Sequence, residues 1–275
     1  MWGADKATDY SLEKGRSAIS GCCNIAGVLG PVVMLINSST GLKPPTETKR
    51  VAVFVHGAGA GGWEWHAWLL AFEKNGWICV NPDLKRSPKG VGATRFEDYL
   101  RQVEIWGRSQ QPCKLAIIGA SMGGVLALKA SESLHPSALV LVNSVGPSGI
   151  GKHKARSWPE VIQWSRGTLQ DTKDSMPDSD SGTIGFAFKH WRDESGAVLQ
   201  DISNGIPVET PRCPVLVVLG DKDTDVPNSI GVEMANRYHG DLKIYKGMSH
   251  VGPLLGTRAV KVSLETLDWL NKHVR

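Results

Sequence analysis

The chain has 275 residues, 41% of them hydrophobic and 21% charged, an ordinary globular composition that excludes a disordered chain or a collagen-like fibre. A chain of this length buries about 70–75% of its surface on folding and needs no disulfide framework. Its net charge of +4, from 31 basic and 27 acidic residues, is too small to favour a nucleic-acid binder.

The sequence also argues against a membrane protein. Residues 19–36 form the most apolar stretch, but glycine, asparagine and proline interrupt it, so it falls short of the 18 or more apolar residues of a membrane helix. It begins too late for a standard secretory signal. We therefore expect no membrane span and a cytoplasmic protein. The adjacent Cys22 and Cys23 are either ordinary thiols or a metal or redox pair.

In chain order, the sequence predicts a strand at 32–36 and an exposed connection at 40–50, and then a regular alternation from residue 51. The predicted strands are 51–55, 77–80, 114–118, 138–142, 215–219 and 242–245, and the predicted helices are 63–74, 96–106, 122–134, 229–238 and 259–273. Short runs that are apolar throughout are typical of strands buried on both faces. The alternation predicts an α/β fold with a mostly parallel sheet and helices on both faces.

The alternation stops between residues 146 and 209, where Gly, Ser, Asp and Pro are frequent. We interpret this segment as an insertion with one or two helices. It contains Trp158, Trp164 and Trp191, and two interpretations of these side chains remain open. They either line a ligand pocket or pack the insertion against the core, because tryptophan suits both places.

The strongest motif is GASMGG at residues 119–124, which has the form G-x-S-x-G between a predicted strand and a predicted helix. A sharp turn there exposes the Ser121 hydroxyl, and Gly119 and Gly123 leave room for it because they have no Cβ. The helix N-terminus adds unpaired N–H groups beneath the serine. The alternative is a structural serine with chance glycines.

A serine nucleophile requires a base, and His250 is the one histidine of eight that lies where a loop leaves the carboxyl end of the last predicted strand. The alternative is a surface-loop histidine. The base in turn requires an acid that holds its tautomer. The pattern G-x-x-D-x-x-V-P favours Asp223, with Asp221 and Asp225 as alternatives.

Acyl transfer also requires donors for the developing oxyanion. The N–H of Met122 directly follows the serine, and the glycine-rich segment 57–62 after the first buried strand offers the N–H of Ala58. This segment does not match a phosphate-binding loop, because neither the lysine nor the acidic ribose partner is present. We therefore expect no metal and no organic cofactor.

These motifs resemble the α/β-hydrolase superfamily across residues 50–275. The order Ser121, Asp223, His250 is the chain order of that superfamily. HGAGAGGWEWHAW followed by NPDL is similar to plant methyl esterases, hydroxynitrile lyases and small bacterial esterases. GASMGG is also similar to enol-lactone hydrolases, carbon–carbon bond hydrolases and cofactor-free haloperoxidases.

The resemblance implies an α/β-hydrolase fold with an eight-stranded type of mostly parallel sheet, helices on both faces and a small helical cap. The core would comprise residues 1–146 and 209–275, and the cap residues 147–208. Caps in this fold shape the substrate pocket. The tryptophans of the cap would then favour a small apolar or aromatic ester.

The implied function is a serine hydrolase that cleaves a carboxylic ester, lactone or thioester through an acyl-enzyme. Two other functions remain open. The same residues run a lyase, a carbon–carbon hydrolase or a cyclisation if His250 acts as a general base without an acyl-enzyme. A ligand receptor that retains the site but turns over little is the third possibility.

Overall fold

The structure is a computed structural model, and it describes residues 48–151 and 157–274. The predicted strand at 32–36, the apolar stretch 19–36 with its paired thiols and most of the connection at 40–50 lie outside the described residues. Within the described part, no helix is long and apolar enough to cross a membrane.

A parallel sheet forms the centre of the described residues. The strands in chain order are β1 (Arg50–Val55), β2 (Ile78–Val80), β3 (Lys114–Ala120), β4 (Ala138–Val142), β5 (Val161–Ile162), β6 (Glu194–Ser195), β7 (Val215–Gly220) and β8 (Asp241–Tyr245). Six of them pair in the order β2-β1-β3-β4-β7-β8, and every neighbouring pair is parallel. The short β5 and β6 pair separately and antiparallel. The predicted mostly parallel sheet is confirmed.

Helices connect the strands. They are α1 (His66–Lys74), α2 (Phe96–Arg108), α3 (Met122–Leu134), α4 (Leu169–Ser175), α5 (Ser181–His190), α6 (Gly196–Ser203), α7 (Asn228–Arg237), α8 (Gly252–Leu255) and α9 (Ala259–His273). A 3₁₀ turn at Gly62–Trp65 precedes α1. The predicted bounds of α3 and α9 agree with the structure, whereas the first predicted helix begins as this 3₁₀ turn.

Side chains of the sheet enter two hydrophobic cores, one on each face. Along β1, Val51, Val53 and Val55 contact the core that contains α2, α3 and α7, and Ala52 and Phe54 contact the core that contains α1 and α9. Successive strand side chains point to opposite faces, so a strand buried on both sides is apolar at every position. Helices on both faces are therefore confirmed.

The described residues between β4 and β7 form three α-helices, α4 to α6, so the prediction of one or two helices there is wrong. Polar residues make the apolar pattern of these helices weak in the sequence, and some of the same residues cap the helices. Thr168, Asp180 and Ser195 each accept a hydrogen bond from a backbone N–H in the first turn of α4, α5 and α6 respectively. Such N-caps are typically worth about 1 kcal/mol each, which offsets the weak apolar periodicity of the segment.

Candidate active site

The sequence-predicted site residues lie after the carboxyl ends of neighbouring parallel strands. Ser121 follows β3, Ala58 follows β1, Asp223 follows β7 and His250 follows β8. The strands are in register, and Gly119 of β3 lies opposite Val55 of β1. Because parallel strands end at the same edge of a sheet, residues far apart in the chain meet there.

Ser121 occupies a strained turn between β3 and α3. Its φ is +52°, a left-handed conformation that costs a non-glycine residue about 1–3 kcal/mol. Its N–H donates to Val142 O at 3.0 Å, which helps to hold the turn. A Cβ on Gly119 would lie 2.1 Å from Gly123 O, and one on Gly123 would lie 2.1 Å from Val55 O. Both glycines are therefore required by close backbone contacts.

These close backbone contacts predict that a side chain at Gly119 destabilises the protein. We expect Gly119→Ala to lower the free energy of unfolding by about 3 kcal/mol, because rigid backbone surrounds the added methyl. Gly185→Ala is the control, because its added Cβ would have no atom within 4 Å apart from those of its chain neighbours and its own helix backbone, and alanine favours the interior of α5 by about 0.5–1 kcal/mol. Urea denaturation measures both variants. Equal stability of the two variants would contradict the clash.

His250 and Asp223 are hydrogen bonded, with 2.8 Å between His250 Nδ1 and Asp223 Oδ2. The Asp223 side chain is 1% exposed, and its Oδ1 accepts the N–H groups of Asp225 and Val226 at 2.8 and 2.9 Å. Burial opposes a charge on His250, but the hydrogen bond and the charge of Asp223 outweigh it and raise the pKa of His250 above its usual value.

The two competing aspartates have other surroundings. Asp221 Oδ1 accepts the N–H of Gly247 at 2.5 Å, and Asp225 lines the cavity described below. Within the described residues, neither carboxylate hydrogen bonds to His250. The structure thus brings Asp223 of the three aspartates against the histidine.

The loop after β1 has one N–H that stays available among three consecutive residues. The N–H of Gly57 donates to Glu64 Oε1 at 2.8 Å, and the N–H of Gly59 donates to Glu194 Oε2 at 3.1 Å. The N–H of Ala58, between them, donates to none of the described residues. The N–H of Met122 at the start of α3 is likewise unpaired in that part of the chain, as expected for a first helical residue.

One cavity of about 900 Å³ joins these groups. Ser121, Met122, Ala58 and His250 line it, together with aliphatic side chains. The aliphatic residues are Val142, Val145, Ile162, Leu199, Ile202, Val226, Val251 and Leu254. Its volume lies near the top of the usual range for small-molecule sites, about 300–1,000 Å³.

The three tryptophans of the insertion also line this cavity. Trp191 packs edge-on against Trp63, with 5.2 Å between ring centroids. The Trp164 ring covers the loop after β1, since a Cβ on Gly59 would lie 2.2 Å from it. Trp158 Nε1 donates to Ser203 Oγ at 3.1 Å. Trp164 and Trp191 thus line the cavity and also contact residues of the loop after β1, and their role in binding a ligand stays a prediction.

Sequence reasoning missed Arg192 and Glu194, which hold the loop after β1 from the insertion. The N–H of Arg192 donates to Gly59 O at 2.7 Å, and its Nε donates to Ala60 O at 2.8 Å. Glu194 is 2% exposed and accepts from Tyr99 Oη at 2.9 Å as well as from Gly59. No local pattern marks these contacts, because they join residues 95 or more positions apart.

Sequence reasoning also missed two residues that hold the His250 loop. Buried Asn143, directly after β4, donates from Nδ2 to His250 O at 2.6 Å and accepts the N–H of Gly220 at 2.9 Å. Asp178 of the insertion accepts from Ser249 Oγ at 2.6 Å. An asparagine at a strand end was the available signal for the first, because Asn tolerates the positive φ found there, +42°.

His56 is a second histidine near the cavity, and its ring is fully engaged. Leu84 N–H donates to its Nε2 at 2.9 Å, so Nδ1 carries the proton and donates to Gly57 O at 2.8 Å. Burial is the main cause that lowers the pKa of His56 to about 4. A neutral ring with both nitrogens bonded is a structural support and offers no free base.

No group of three or more His, Cys, Asp or Glu side chains is placed to hold a metal ion within residues 48–151 and 157–274.

Comparison with known proteins gives one family and a consistent fold. Residues 52–262 match the model of the alpha/beta hydrolase family. Tomato methylketone synthase I in complex with 2-tridecanone is 17% identical, with a TM-score of 0.67 over 82% of this chain and 99% of that one. A search of curated proteins gave no match.

Two esterases have similar structures. A methylesterase from Arabidopsis is 17% identical, with a TM-score of 0.63 over 80% of this chain and 100% of that one. Polyneuridine aldehyde esterase is 19% identical, with a TM-score of 0.63 over the same shares of the two chains. These TM-scores show a common fold, and the family match covers most of the chain. The chain therefore belongs to the alpha/beta hydrolase family.

Proposed function

We propose that this protein is a serine hydrolase that cleaves small apolar or aromatic carboxylic esters, with lactones and thioesters as close variants. One observation carries the proposal. A single cavity is lined by Ser121 and by His250, which is bonded to Asp223, together with two residues whose N–H groups are unpaired in the described chain. These are the parts that acyl transfer requires.

In the proposed reaction, Ser121 Oγ attacks the ester carbonyl carbon while His250 Nε2 takes the hydroxyl proton. The N–H groups of Ala58 and Met122 stabilise the oxyanion. The tetrahedral intermediate then breaks the bond to the alcohol oxygen, and His250 returns the proton to that oxygen. Water repeats the sequence on the acyl-enzyme and releases the acid. Asp223 keeps Nδ1 protonated and stabilises the imidazolium.

The experiment that tests this reaction is a burst assay with p-nitrophenyl esters. We expect a rapid release of about one equivalent of nitrophenolate per protein, followed by a slower steady rate, because acyl-enzyme accumulates. A fluorophosphonate should label Ser121 and abolish the burst. Turnover that persists after complete labelling of Ser121 would refute the proposal.

The cavity predicts a preference for longer acyl chains. Each buried methylene contributes about 0.8 kcal/mol, which corresponds to roughly a fourfold gain in kcat/KM per carbon. We expect this gain from acetyl upwards until the chain fills the apolar wall. A series of p-nitrophenyl esters measures it. A rate that falls steadily from acetyl would contradict the assignment of the acyl site to this cavity.

Two variants distinguish the cavity from a surface effect. Leu199→Trp narrows the cavity, because Leu199 lines it, and should reduce turnover of the longest esters first. Leu70→Trp is the matched control, because Leu70 is exposed on α1 and lies outside the cavity lining. Equal effects of both substitutions on the chain-length profile would contradict the assignment.

A second candidate function is a reaction at the same site without an acyl-enzyme, with His250 as a general base. The fold shared with methylketone synthase I favours it, since one fold carries many reactions. Fluorophosphonate labelling of Ser121 without any burst on the ester series would favour this candidate. A binding protein with slow turnover would instead show single-turnover hydrolysis and tight ligand retention.

A further inference from the structure

A buried carboxyl lies in the cavity beside the nucleophile, and the proposed reaction does not use it. Glu64 belongs to the 3₁₀ turn Gly62–Trp65. It is 3% exposed and lines the same cavity as Ser121 and His250. Its Oε1 accepts the N–H of Gly57 at 2.8 Å, and its Oε2 has no hydrogen-bond partner among the described residues.

The Glu64 carboxyl and the Ser121 side chain both lie near Gly57. A methyl group on Gly57 would lie 3.4 Å from Ser121 Cβ and 3.9 Å from Glu64 Oε2. Both side chains thus have an atom within 4 Å of the same point at Gly57. Gly57 is also the residue before Ala58, so Glu64 is bonded to the loop that offers the unpaired N–H.

Two charged groups act on Glu64, His250 and Arg192, and two further carboxylates, Asp171 and Asp225, line the same cavity. Burial raises its pKa to about 8, against the opposing effects of the Gly57 N–H, of His250 after β8 and of Arg192 in the insertion. Its own turn carries no other ionisable side chain. Glu194 bonds the same loop from the insertion, at Gly59, but it is not part of the cavity lining.

We propose that Glu64 acts as a neutral carboxylic acid that positions the oxyanion loop, residues 57–62, through its hydrogen bond with Gly57. Because the acid is neutral, it places no negative charge of its own beside the oxyanion that forms at Ser121. The inference rests on the proposed function, because it concerns the oxyanion of that reaction. An ionised Glu64 would repel the oxyanion, because Glu64 is buried and charges interact more strongly away from bulk water. If Glu64 instead gave its proton to His250, the protonated His250 could not accept the proton of Ser121, and the reaction would have no base.

This role predicts a pH profile that a serine, histidine and aspartate alone do not give. Those three groups predict that kcat/KM rises as His250 loses its proton and then stays level. With Glu64, kcat/KM should fall above about pH 8, by about tenfold per pH unit if the ionised form is inactive. The measurement uses an uncharged ester between about pH 5 and pH 10.

Glu64→Gln removes the ionisation and keeps an acceptor for the Gly57 N–H. We expect this variant to lose the descending limb, whatever its rate at neutral pH. Glu194→Gln is the matched control, because it makes the same change in a buried carboxyl that bonds the same loop. It should keep the descending limb. Three outcomes would overturn the proposal. The wild-type profile could stay level above pH 8, Glu64→Gln could keep the descending limb, or both variants could lose it.

A second measurement is independent of turnover, and its wild-type spectrum does not depend on the folding of any variant. Infrared difference spectra between neutral and alkaline pH should show the loss of a protonated carboxyl band in the wild-type protein, with a midpoint near pH 8. The band should be absent from Glu64→Gln if that variant folds. Absence of the band from the wild-type protein would overturn the role of Glu64. Failure of the Ser121 burst would instead refute the proposed hydrolysis and leave the infrared result standing.

Discussion

Ser121→Ala should lower kcat by about 10⁵–10⁶-fold, while the protein stays folded. The loss is large because the hydroxyl is the only group that forms the acyl bond in the proposed reaction, and the remaining rate comes from binding and from the N–H donors. Steady-state turnover of the best p-nitrophenyl ester measures it. The burst and the fluorophosphonate label should vanish with the hydroxyl.

A matched variant for this result is Ser144→Ala. Ser144 is a buried serine after β4, and its Oγ donates to the backbone O of Val145, so it is not part of the proposed chemistry. Turnover in Ser144→Ala should stay within about tenfold of wild type, as for the loss of one neutral hydrogen bond. Comparable losses in Ser121→Ala and Ser144→Ala would refute Ser121 as the nucleophile.

Asp223→Asn should lower kcat/KM by about 10⁴-fold, because the amide no longer favours the correct tautomer or stabilises the imidazolium. It should also move the acidic limb of the pH profile. In the wild-type protein the pKa of His250 is raised by Asp223, so activity should appear as pH rises through a value above the usual 6.5 or so. Removal of the carboxylate should move that midpoint to lower pH.

Asp225→Asn is the control, because Asp225 lines the cavity without a hydrogen bond from its carboxylate to His250. Its acidic limb should shift far less, because a more distant charge is better screened. If Asp225→Asn cost as much as Asp223→Asn, the assignment of the acid would be wrong.

The local patterns of the sequence predicted most of the core. The apolar runs and helical periods predicted the strand β4 and the helices α3 and α9 with the bounds observed. These elements are largely buried, so apolar residues run through all of β4 and dominate α3 and the inner face of α9. The insertion was predicted less well, since its three short helices depend on polar caps such as Thr168 more than on an apolar stripe.

In the candidate site, too, some features were predictable from the sequence and others were not. The turn around Ser121 was predictable, because a strained turn with close backbone contacts requires glycines at fixed positions and these are visible in the sequence. The residues that hold the loop after β1 were not predictable. Glu194 and Gly59 are 135 positions apart, and nothing in either segment encodes that they meet.

The sequence by itself determined the α/β class, the turn with the candidate nucleophile and the candidate base, because local patterns of neighbouring residues indicate each of them. Only the tertiary structure decided which aspartate contacts His250, which N–H of the glycine-rich loop stays unpaired and where Glu64 lies. The physical reason is the parallel sheet. It brings the ends of distant strands to one edge, where burial changes the pKa of a side chain that looks ordinary in the sequence.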